Sequence, residues 1–236
     1  MRNENSSGDF DSVGVDVRFE IPRDGVSLAI INLQRVDVSH VQDDFLQYES
    51  EIFDQIRTLH SRDSLKNDDI LSAFREFYWT FGMDPTKFRV SSEALLRRIL
   101  RGHGLWRISN IVDIANLASA FHKFPIGLAD FSKLDDPLYI RTAEEGEIFE
   151  RIDGEEIECR GRDLVVADTK RIICFGYATH DSKSTRIRSD TEDAIVMVYC
   201  APGIKARIFS EAVESTRDMY DEWTDCQIGA TEFFHS

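Results

Sequence analysis

The apolar pattern changes period part-way along the chain, and that change limits the fold more than any single motif does. From Phe45 to His122 the apolar residues recur at helical spacing: Phe45, Ile52, Ile56 and Leu59 make one set, and Ile70, Phe74, Phe77, Tyr78 and Phe81 a second. Asp68 and Asp69 stand where a cap for the second helix is needed, and Gly82 and Pro85 end it. Ser91, Ser92 and Glu93 predict another helix start, with side-chain oxygens for the free amides. Leu95, Leu96, Ile99 and Leu100 form its apolar face, and Gly102 and Gly104 stop it. A helix over 109–122 buries Ile111, Ile114, Leu117, Ala118 and Phe121, with His122 read as a C-terminal cap.

From Leu138 the period is two. Short alternating runs at 138–141, 147–152, 164–167, 171–177 and 194–200 are strands, an earlier strand occupies 26–33, and an amphipathic helix closes the chain over 206–223. A run of helices followed by a run of strands is an α+β pattern: a helical N-terminal half packed on a mainly antiparallel sheet, with a closing C-terminal helix. The expected organisation is a disordered N-terminus over 1–12 and one domain over 13–236, a length sufficient for one substantial core or two small ones.

Charge narrows the function. The chain carries a net charge of −15, which excludes nucleic-acid binding through the whole surface and gives no reason to expect DNA as a partner. Residues 91–130 are the one positive stretch, with 5 basic against 3 acidic side chains. Arg97, Arg98, Arg101 and Arg107 occur there with no carboxylate between Ala94 and Val112, and Trp106 adjoins the last of them. Guanidinium groups fork onto phosphate and an indole stacks on a base, so these five residues form a candidate RNA contact. The competing reading is a solvated helix face whose arginines pair with acids from elsewhere in the chain.

Other chemistry has little support. Cys159, Cys174, Cys200 and Cys226 are scattered without a CxxC pair, which fits a reduced, cytoplasmic compartment; no apolar run approaches the length of a membrane span, and neither metal nor cofactor is expected. The polar stretch at 180–186 lacks a G-x-S-x-G elbow and reads as a connection. Gly102-His103-Gly104 is not a phosphate loop, and no ATP-binding motif is present, so a complete synthetase is not expected.

The order of several segments carries more information. Residues 77–87 (from Phe77-Tyr78-Trp79 to Pro85-Thr86-Lys87), 91–98, 107–116, 125–130, 140–147, 164–168, Asp181-Ser182 and Thr191-Glu192-Asp193 together resemble the free-standing relatives of the B3/B4 domain of the phenylalanyl-tRNA synthetase β subunit. The resemblance covers roughly residues 70–200. It implies a B3/B4-like fold, contact with tRNA, and hydrolysis of a mischarged aminoacyl ester. It also implies a pocket lined by the stretch matching 110–116 and the proline loop matching 125–130. With the polar residues near the later strands, the implied pocket comprises Asn110, Asp113, Asn116, Gly127, Asp181 and Ser182, converging where the helices meet the sheet.

Two positions depart from the synthetase pattern: Gly127 stands where the synthetases have a histidine, and Met197 falls near a glutamate that reads a tyrosine hydroxyl. Without that carboxylate, tyrosine specificity is not implied. Gly127 is expected to leave a roomier pocket. Two functions follow: a stand-alone proofreading hydrolase, with no assignable catalytic residue, or a non-catalytic module binding an amino acid or another small ligand.

Overall fold

The computed structural model describes residues 14–236, so the disorder expected over 1–12 lies outside the described residues. The helical spacing is realised as α1 (Asp43–Leu59), α2 (Asp69–Thr80), α3 (Ser91–Ile99), α4 (Asn110–His122) and α5 (Ala206–Trp223). Two caps form as their residues require: Asp68 accepts the Leu71 amide to open α2, and Ser109 accepts the Val112 amide to open α4. Three local expectations fail. The serines at the start of α3 do not cap it; Val90 is the cap residue, the hydroxyls of Ser91 and Ser92 are buried without partners, and Glu93 turns to arginines instead. Leu59 is 69% exposed, because α1 ends there and its apolar stripe stops at Ile56.

His122 is not a charged cap. It is half-buried with Nε2 3.0 Å from Ser215 Oγ, and that burial pushes its pKa down to about 4, so it is neutral. The left-handed cap position belongs to Lys123 (φ 66°), whose ammonium reaches back 2.6 Å to Asp68 at the start of α2.

The fold is α+β. The strands are β1 (Val17–Glu20), β2 (Ser27–Gln34), β3 (Ile126–Asp130), β4 (Leu138–Thr142), β5 (Ile148–Glu150), β6 (Glu156–Glu158), β7 (Leu164–Ala167), β8 (Ile172–Phe175), β9 (His180–Asp181), β10 (Ala194–Cys200) and β11 (Gln227–His235). They do not make one sheet. A four-stranded antiparallel sheet runs β11-β2-β10-β3, a five-stranded sheet runs β1-β4-β7-β8-β9 with β1 parallel to β4, and β5-β6 is a separate hairpin. The split follows from burial: every residue of β10 and the middle six of β2 are buried, so these strands are covered on both faces.

Helix α4 is the central element. Nine of its 13 residues are buried, it packs against α3, α5 and β3, and the buried Tyr220 hydroxyl of α5 donates to the Ile111 carbonyl at 2.9 Å. Each fully buried Leu, Ile or Phe in such a position contributes roughly 1.5–3 kcal/mol relative to exposure. The immediate continuation of α4 is β3, where Gly127 pairs with Met197 of β10.

Candidate functional site

The two sheets bring Gly127 and Asp181 together. Asp181 pairs with Cys174 in the five-stranded sheet, while Gly127 and Tyr199 belong to the four-stranded one. A β-carbon at Gly127 would lie 2.9 Å from the Tyr199 hydroxyl and 3.4 Å from Asp181 Oδ1. The proline segment read as a loop is therefore a fully buried strand, and the room expected beside Gly127 is taken by Tyr199. Tyr199 is held in place by the parallel ring of Tyr177, 4.7 Å away between centroids.

Asp181 is half-buried as a residue, but its Oδ1 is closed off from solvent without a hydrogen-bond partner. Burial pushes its pKa up to about 7, with the Cys174 thiol and the Leu128 amide only partly offsetting that. A carboxyl that exchanges its proton near neutrality has the chemistry of a general base or a hydrogen-bond donor, here with the Tyr199 hydroxyl in the space beside the Gly127 backbone. Ser182, next in the chain, is buried and turned to its own loop: its Oγ is 2.8 Å from Ser184 Oγ and accepts the Ser184 amide.

The helical members of the expected pocket have other partners. Asn110 opens α4, and Gly127 lies in the strand β3 that follows α4 and packs against it. Asn110 Oδ1 accepts the Ser39 amide and Nδ2 donates to the Asp37 carbonyl, pinning the segment before α1 beside a separate cleft of about 250 Å³. Asp113 accepts the Ile108 amide and pairs with Arg107, and Asn116 is half-buried between them and the far end. Of the expected pocket residues, the contacts bring Gly127 and Asp181 together with Ser182 next in the chain, while Asn110 and Asp113 are engaged with the segments before α1 and α4. Side chains engaged in holding backbone have little capacity left for a ligand.

The arginine patch also divides. Arg97 donates to Glu93 at 2.7 Å, and Arg107 is shared between Glu49 and Asp113. A carboxylate-free stretch of sequence is not carboxylate-free in space, because α1 and α4 deliver Glu49 and Asp113 to it. Among the described residues, Arg98 and Arg101 are left without a carboxylate partner, beside the exposed Trp106. The Arg98 guanidinium lies over the Trp106 ring at 4.1 Å from its centroid while its Nε donates to the Gly104 carbonyl. Trp106 is 54% exposed and Ile108 56%, and among the described residues Arg101 has no ion pair. Sequence reasoning missed Tyr199, Cys174 and Glu49; only Glu93, four residues from both Arg89 and Arg97, leaves a visible spacing.

Residues 73–219 match the family described as the B3/4 domain. The chain belongs to the B3/4 domain family. Among curated relatives, the phenylalanine–tRNA ligase β subunit of Vibrio vulnificus (strain YJ016) is 31% identical over 102 residues, 43% of this B3/4 chain and 12% of that subunit. The corresponding subunit of Fusobacterium nucleatum is 31% identical over 108 residues, 45% of this chain and 13% of that one. The match therefore spans about an eighth of these relatives' length. Among solved structures, an N-terminal fragment of the phenylalanyl-tRNA synthetase β subunit from Pyrococcus horikoshii aligns over 92% of this chain and 51% of that one, with 16% identity and a TM-score of 0.46. Among the described residues no helix is long and apolar enough to cross a membrane.

Proposed function

We propose that this B3/4 chain is a cytoplasmic, tRNA-associated protein that proofreads mischarged aminoacyl-tRNA. The family and its synthetase-subunit relatives supply the context, and the Arg98–Trp106 pair is the observation that carries the RNA contact: an exposed indole with a guanidinium on one face offers its other face to an unpaired base. Arg101 beside it supplies charge to a phosphate.

Hydrolysis is assigned to Asp181 beside Gly127. There a carboxylate takes a proton from water, the resulting hydroxide attacks the ester carbonyl, the acyl–oxygen bond breaks, and the proton passes to the departing ribose oxygen. The ribose hydroxyl next to the ester helps to orient the water, so the protein needs only a base and a position. Tyr199 must turn away from Gly127 for the ester to enter, and this favours a second reading, a non-catalytic module for an amino acid or other small ligand. Incubation with a panel of mischarged tRNAs separates them. Proofreading predicts loss of at least one ester, slowed by Asp181→Asn; stable esters across the panel, with tRNA still bound, leave the non-catalytic module.

A further inference from the structure

Glu93 is buried and surrounded by three arginines: Arg75 Nε is 3.0 Å from Oε2, Arg97 Nε 2.7 Å from Oε1, and Arg89 Nε 3.6 Å from Oε1. Burial alone would raise the Glu93 pKa, but hydrogen bonds from Arg75 and Arg97 outweigh it and hold the group ionised. Those two arginines satisfy the carboxylate. Arg75 is then fully committed, since its terminal nitrogens donate to the carbonyls of Leu65 and Lys66.

Arg89 is surplus to this arrangement. Its Nε is buried without a hydrogen-bond acceptor, and among the described residues no protein group accepts from the terminal nitrogens of Arg89 or Arg97. The buried Nε faces Glu93 Oε1 at 3.6 Å, so the donors left for a ligand are the terminal nitrogens of Arg89 and Arg97. The place for one is open. Two adjoining depressions of about 230 and 420 Å³ share Lys66 and Arg97, and Arg62 and Arg89 stand on their walls. Arg62, Lys66, Arg75, Arg89 and Arg97 are answered there only by Asp63 and Glu93, an excess of three positive charges on a chain whose net charge is −15. A positive recess in a negative surface focuses anions into it, and guanidinium forks match phosphate oxygens.

We propose that this cleft between α2 and α3 is a phosphate-binding site, with Arg89 and Arg97 gripping the phosphate oxygens and Lys66 and Arg62 at the rim. The phosphate is carried by an RNA backbone or by a free phosphorylated metabolite; the RNA source rests on the tRNA reading above, the metabolite source does not. Arg97, the neighbour of Arg98 in α3, links this cleft to the Trp106 face.

Calorimetric titration of the full chain with inorganic pyrophosphate and with deacylated tRNA tests it. Arg89→Gln is the variant of choice because Arg89 makes no side-chain hydrogen bond that the fold requires, and thermal melts verify that it folds. At least one probe should bind, weakened roughly tenfold by Arg89→Gln and partly restored by Arg89→Lys, the loss of one charge-assisted contact. Pyrophosphate binding that Arg89→Gln weakens identifies a free phosphate as sufficient, whether or not tRNA binds; pyrophosphate binding that the variant leaves unchanged overturns the cleft. Binding of tRNA alone, sensitive to Arg89→Gln, identifies the backbone. If tRNA binds the wild type and Arg89→Gln equally and pyrophosphate does not bind, the cleft proposal fails while the tRNA reading stands. If neither probe binds, both fail.

Discussion

The Tyr199 hydroxyl and a β-carbon at Gly127 compete for one space: the oxygen lies 2.9 Å from where that carbon would sit. Gly→Ala normally stabilises a strand by restricting the unfolded chain, but here the added methyl meets a ring that is fully buried and stacked on Tyr177. Gly127→Ala should therefore destabilise the protein by about 1–3 kcal/mol, the cost of overpacking, in urea or thermal melts. Tyr199→Phe should recover part of the loss, since the ring carbon at 3.2 Å remains after the hydroxyl is gone. An unchanged midpoint in Gly127→Ala means that Tyr199 gives way freely.

Asp181 gives a pH dependence of defined sign. Its folded pKa of about 7 lies above the ordinary carboxylate value, so the folded state holds a proton that the unfolded chain releases. The stability this contributes is fully present below about pH 4 and is lost as pH rises to about 7, by up to roughly 4 kcal/mol. Asp181→Asn should remove that decline. Melts from pH 4 to 8 that fall equally in both proteins would show that Asp181 is not the titrating group.

His122 acts in the opposite direction. Burial holds its pKa at about 4, so the unfolded chain binds a proton that the folded one refuses. Stability is present above the ordinary histidine range and lost as pH falls from about 6.5 towards 4. His122→Gln, which keeps a group facing Ser215, should flatten this acid limb and leave stability at pH 8 little changed. An acid limb identical to that of the wild type would contradict it.

Glu93→Gln should be the costliest of the polar substitutions, about 3 kcal/mol, because it leaves Arg75 and Arg97 half-buried without a counter-charge. With its pKa held low, the wild-type carboxylate contributes stability above the ordinary glutamate range and loses it as pH falls through its lowered value. A melt midpoint within the error of the wild type would show that the arginines find other partners.

The helices were legible because each buries one stripe, and Phe74, Phe77 and Ile114 announce it by spacing alone. Strand β3 was not, since Ile126-Gly127-Leu128-Ala129 is buried on both faces and shows no alternation. Strands β1 and β11 were missed for the converse reason: they are half-exposed, with no run of buried residues. At the candidate site, the resemblance picked out Gly127 and Asp181, which the fold places side by side, but Tyr199 reaches them only through pairing of β10 with β3. Arg107 looked free because its partners Glu49 and Asp113 come from α1 and α4. Contacts made across elements leave no periodicity to read.

Binding of deacylated tRNA at low salt, compared between the wild type and a Trp106→Ala, Arg101→Glu double variant, tests the RNA-facing surface most directly. This pair is preferred to reversal at Arg98, whose Nε holds the following loop through the Gly104 carbonyl. The wild type should bind saturably, and the variant at least roughly tenfold more weakly while melting at the same temperature, because one stacking contact and one phosphate contact are lost. No binding by the wild type at low salt, or equal binding by the variant, would contradict a tRNA-associated role carried by Trp106 and Arg101.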